Sequence, residues 1–120
     1  MGSIEDVAGR TAYVLAADGD TVDGRSFRDA VMEALVASAT LLVVPAGRLD
    51  PAFFDLRSGL AGDLLQVSVV YGMPVAIVGA LPEPAASSGA FAALVRESNA
   101  GSQHSFVPDR EALLARIARA

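Results

Sequence analysis

The sequence predicts one α/β domain built on a mainly parallel sheet of four or five strands joined by crossover helices. Three observations lead there. Short, almost uniformly apolar runs recur at Thr11–Ala17, Leu41–Val44, Val75–Val78 and Ser105–Val107, and runs without polar alternation suit strands covered on both faces. Segments with apolar residues at helical spacing lie between them. Strand and helix thus alternate four times, an order that feeds parallel pairing through right-handed crossovers.

The elements follow in order. The first ten residues read as a tail, and the domain as residues 11–120. After the first strand, Asp18-Gly19-Asp20 turns the chain. Ser26 and Asp29 resemble a capping box, and Phe27, Val31, Ala34 and Leu35 share one face of a first helix running to about Ser38. Asp50-Pro51 is a helix-start pair, so Phe53 and Phe54 fall in a short turn that drops both rings into the core. Asp55 or Ser58 then caps a longer helix through Tyr71, stopped by Gly72 with Pro74 beyond. Pro82 and Pro84 mark a loop, and Ser87 or Ser88 caps a third helix with Phe91, Leu94 and Val95 inward. Asn99-Ala100-Gly101 ends it. Asp109 caps a last helix expected to bury Leu113, Leu114 and Ile117.

Composition narrows the chemistry. Hydrophobic residues make up 52% of 120 and charged residues 19%, which places the chain among folded domains large enough to bury a core without staples. There is no cysteine, so disulfides, thiolate catalysis and thiolate metal sites are excluded. His104 is the single histidine and cannot build a histidine-rich metal site alone. The formal net charge is -5, a poor electrostatic match for nucleic acid.

The start of the chain lacks the basic and apolar regions of a signal peptide. The apolar stretch Leu64–Leu81 is interrupted by Gln66, Ser68 and Gly72-Met73-Pro74, which suits a buried helix and strand better than a membrane span. A cytoplasmic location, no membrane partner, no cofactor and no metal are therefore expected. Asp18, Asp20 and Asp23 fail as a calcium loop, because Val22 takes the fifth position and no distal glutamate follows. Phosphate loops, dinucleotide fingerprints and nucleophile elbows are missing as well.

The block Arg48-Leu49-Asp50-Pro51-Ala52-Phe53-Phe54-Asp55-Leu56-Arg57-Ser58-Gly59, with Gly62 and Gln66 after it, is distinctive. With Tyr71, Ala76-Ile77-Val78-Gly79, Glu97-Ser98-Asn99 and Gly101, it resembles a small bacterial family catalogued as domain of unknown function 4180. The resemblance spans about residues 40–115 and departs from the family pattern after Gln66 and at Ala80. In layout the chain is also similar to STAS-type domains, the fold of anti-sigma factor antagonists. That likeness implies a regulatory module and a phosphorylatable serine at a helix start, a place held here by Ser58-Gly59.

Candidate sites follow. At the expected helix start, free amides near Ser58, Gly59 and Leu60, backed by Arg57, suit an anion, and Gly59 and Gly62 admit close approach. Against this, Asp55 would cap the helix and Arg57 pair with a nearby carboxylate. Gln66 and Tyr71 line a pocket or serve packing and capping. Val67, Val69 and Val70 widen the apolar surface of that helix, which is then sandwiched or used in a homodimer. Glu97 and Asn99 are a site pair or a helix terminator. The leading expectation is a non-enzymatic module that binds a protein partner or small anionic ligand through residues 55–62, with no catalytic residue. The alternatives are a small enzyme with Asp55, Arg57 and Glu97 in one cleft, or a homodimeric assembly subunit.

Overall fold

A computed structural model describes residues 2–119. Five strands, β1 (Gly2–Val7), β2 (Arg10–Leu15), β3 (Leu41–Pro45), β4 (Val75–Val78) and β5 (His104–Val107), form one sheet in chain order. β1 pairs antiparallel with β2, and the other three pairings are parallel. The helices are α1 (Gly24–Val36), α2 (Leu60–Tyr71), α3 (Gly89–Ala100) and α4 (Arg110–Arg119). No helix among the described residues is long and apolar enough to cross a membrane.

Residues 2–7, expected as a tail, form the edge strand β1. A two-residue turn makes this possible, with Ala8 and Gly9 both at positive φ, 51° and 88°. Tight hairpins of this kind usually announce themselves as Asn-Gly or Asp-Gly. Ala-Gly carries no such signal. The Asp6 carboxylate completes the turn by accepting from the Gly9 amide at 2.8 Å.

One helix boundary and one buried position also differ from expectation. α1 is capped by Asp23, whose carboxylate accepts from the Ser26 amide at 3.0 Å while the Ser26 hydroxyl accepts from the Asp23 amide at 2.9 Å. The capping box therefore lies three residues upstream of the Ser26–Asp29 pair. In α4, Leu113 is buried but Leu114 is exposed, since neighbours on a helix point about 100° apart.

The sheet carries unequal layers. One face holds the large core, in which Tyr13, Leu42, Val44, Ile77 and Phe106 meet Phe27 and Val31 of α1, Leu64 of α2 and Phe91 of α3. Phe53, Phe54, Phe91 and Phe106 stack there with ring centres 5.2–6.3 Å apart. The other face holds a smaller cluster of Ala12, Leu41, Val43, Ala76 and Val107 under Leu113 of α4.

Arg48 is buried, at 7% exposure, just beyond β3. Its Nε donates to the Asp20 carbonyl at 2.8 Å, and one terminal nitrogen donates to the carbonyls of Ala16 (2.8 Å) and Asp18 (3.4 Å). The guanidinium lies against Gly19, where a Cβ would come within 3.0 Å of its central carbon. No carboxylate of the described residues pairs with it. Arg48 therefore ties the loop after β2 to the loop after β3 through backbone alone. Replacing it leaves those carbonyls without their donors, so Arg48→Leu is expected to lower stability in urea unfolding by about 2 kcal/mol.

Candidate functional site

Residues 50–62 build a shoulder at the carboxyl end of β3. The Asp50 carboxylate accepts from the Ala52 amide at 2.9 Å and starts a 3-10 turn, Pro51–Phe54, that seats both aromatics. A second such turn, Leu56–Ser58, follows, with Asp55 accepting from the Arg57 amide at 3.1 Å. Gly59, at φ 80°, then reverses the chain into α2. The N-cap of α2 is thus Gly59, neither Asp55 nor Ser58. Arg57 sits in the turn before the helix, so it does not oppose the helix dipole from the first turn.

The polar groups of the shoulder partner one another. The Ser58 hydroxyl donates to the Ala52 carbonyl at 2.5 Å and accepts from the Leu60 amide at 3.1 Å. Arg57 Nε lies 3.2 Å from Asp55 Oδ1 and its Nη2 lies 3.4 Å from Oδ2. Side-chain hydrogen bonds from Arg57, and then its backbone amide, hold the Asp55 carboxyl below its ordinary range, while Asp55 raises the Arg57 guanidinium. The two side chains are 92% and 47% exposed, Arg57 the more so. Pairing of Arg57 with a nearby carboxylate, read from the sequence as the structural alternative, is the geometry seen.

The other candidates lie elsewhere. Gln66 and Tyr71 are exposed and line a groove of about 450 Å³ between α1 and α2, beside Arg28 and Asp63. Glu97 is exposed near the far end of α3. The start of α3, at Ala90, borders the groove that holds Asp55, and seven residues of helix carry Glu97 about 10 Å away from it. Asp55, Arg57 and Glu97 therefore do not form one cleft. Asn99 is structural: its amide donates to the Phe106 carbonyl at 3.0 Å and accepts from the Phe106 amide at 2.8 Å, fixing α3 to β5.

The sequence did not indicate what faces the shoulder. A groove of about 470 Å³ runs between the shoulder and the loop Ala80–Pro84, and one of about 400 Å³ runs on between Asp55–Arg57 and Pro84–Ala90. They share Phe54, Asp55 and Pro84. The prolines at 82 and 84 were the only sign of this wall. A further groove, about 580 Å³, crosses the thinly covered face over Val14, Val43 and Val78, with the Glu5–Arg110 ion pair (2.6 Å) at its edge. Among the described residues, no three His, Asp or Glu side chains are grouped to hold a metal ion.

A family described as Domain of unknown function (DUF4180) matches residues 8–117, and the chain belongs to that family. The match extends well before the block around Phe53–Arg57 that carries the resemblance. No curated protein and no solved structure matches the chain.

His104 is half-buried at the start of β5, with Nε2 3.0 Å from the Leu65 carbonyl. Burial lowers its pKa below the ordinary 6.5, and the hydrogen bond to Leu65 only partly offsets this. Protonation then favours the unfolded chain. The contribution is complete above pH 6.5 and is lost as pH falls from there toward the folded-state pKa. Unfolding measured between pH 8 and pH 5 is expected to show that decline, and His104→Gln to flatten it.

Proposed function

We propose that this member of the family is a protein-interaction module that receives a largely apolar segment of a partner along the shoulder. The observation that carries this reading is the pair of apolar-walled grooves meeting at Phe54, Asp55 and Pro84. They lie outside the carboxyl ends of β3 and β4, the usual place for binding on open α/β sheets. The Asp55–Arg57 pair favours a protein over a small anion, because Arg57 is already neutralised. A partner side chain can exchange with either member, while buried apolar contacts supply most of the affinity.

Ser58 offers a means of control. Its hydroxyl is exposed at the rim and holds the Ala52 carbonyl. A phosphoryl group there would remove that donor and add about two negative charges beside Asp55. Docking would weaken for an acidic partner and strengthen for a basic one.

A second reading, self-association, is favoured by a different observation. Leu35 and Val36 end α1, while Val69, Val70 and Tyr71 end α2, and all five are exposed, Val36 at 87% and Val70 at 65%. Both helices return along the sheet in the same sense, so both C-termini fall at the same end of the sheet. Exposed apolar clusters of this kind mark interfaces.

Each reading has its own test. Photo-crosslinkers at Leu56 and Ala90, on opposite walls of the groove, should capture the same partner in the source cell, and one at Thr21 should not. Leu81→Asp with Arg57→Glu should cut that yield by about tenfold or more, the loss of one good contact; unchanged capture refutes the docking site. Sedimentation should show dimers that Val70→Glu dissociates, whereas a strict monomer at high concentration removes the second reading.

A further inference from the structure

A groove of about 330 Å³ opens at the amino-terminal ends of β2, β3 and β4, at the opposite end of the sheet from the shoulder. Arg10, Arg116 and Arg119 line it, and among the described residues no acidic side chain does. Three of the chain's nine basic residues thus surround one opening in a molecule of net charge -5. Such convergence focuses positive potential against an acidic background.

Two of the arginines are held in place. A terminal nitrogen of Arg10 donates to the Thr40 carbonyl. One of Arg116 donates to the carbonyls of Asn99 (2.8 Å) and Gly101 (3.1 Å). Their remaining guanidinium N–H groups have no partner among the described residues, and neither does the Arg119 side chain. Ser105, on β5, lines the same groove at only 8% exposure, and its hydroxyl has no partner among the described residues. Among the described residues, no enclosed side-chain polar atom is left unsatisfied. The Ser105 hydroxyl is therefore open to the groove.

Arginines in the last turn of a helix complement its dipole, which accounts for residues 116 and 119. It does not account for Arg10 on the other wall, or for a free hydroxyl on a buried strand. We propose that the groove binds a small phosphate-bearing molecule. Arg10, Arg116, Arg119 and the Ser105 hydroxyl would hold the phosphate, and Leu113 and Ile117 would pack on its apolar body. The charge count favours a dianion over a monocarboxylate, and guanidinium forks match phosphate oxygens. The volume lies at the small end of ligand sites, which suits a metabolite-sized molecule.

Calorimetry and amide NMR on the whole chain test this with phenyl phosphate, inorganic phosphate and benzoate. Phenyl phosphate should bind saturably, shift the amides of residues 101–105 and 116–119, and bind at least about tenfold more tightly than benzoate. Arg119→Glu and, from the opposite wall, Arg10→Gln should each weaken it about tenfold, and Ser105→Ala about threefold. Arg57→Ala should leave it unchanged, which separates this site from the shoulder. Absence of saturable shifts at those amides, equal binding of benzoate, or wild-type affinity in both arginine variants would overturn the proposal.

Discussion

Each parallel connection from β2 to β5 steps to the adjacent strand in the same direction, and a right-handed crossover then has one face on which to lay its helix. α1, α2 and α3 accordingly share a face, and the deep aromatic core lies beneath them. The opposite face receives α4 alone, which arrives after the last strand and covers part of the sheet. The chain is therefore thick on one side and thin on the other. Its grooves follow from that asymmetry: over the thinly covered strands, under the end of α4, and at the strand ends where the loops leave the sheet.

The shoulder shows how local chemistry refines that plan. Two successive 3-10 turns take up the distance between β3 and α2, and the second is closed by side chains from within the segment. Phe53 and Phe54 anchor the segment inward while Leu56 and Arg57 face out. The outward surface is thereby held by the same short stretch that fills the core. A surface so mounted is pre-ordered, which would limit the entropy lost on any docking to it.

Much of this was legible in the sequence, for identifiable reasons. Uniformly apolar runs marked four of the five strands, and caps at Asp50, Ser88 and Asp109 hold as read. Gly72 stops α2 in the left-handed conformation its position called for. What escaped was non-local or atypical. β1 is polar along much of its length and is tied on by an Ala-Gly turn. Nothing in the sequence marked Arg48 as buried, because its partners are carbonyls about thirty residues away. Glu97 and Asn99 stand two positions apart in the chain, yet one faces water and the other bridges to β5. The arginine groove draws on residues 10, 105, 116 and 119, a grouping that only the folded chain assembles.

The Arg48 contacts also bear on how the chain tolerates change. The guanidinium grips main-chain oxygens of residues 16, 18 and 20 and touches no side chain of theirs by hydrogen bond. Every residue type carries that oxygen. Apart from Gly19, whose bare Cα the guanidinium lies against, this loop is free to drift in sequence while keeping its path. The rim beside β2 can thus vary in sequence without disturbing the scaffold beneath it.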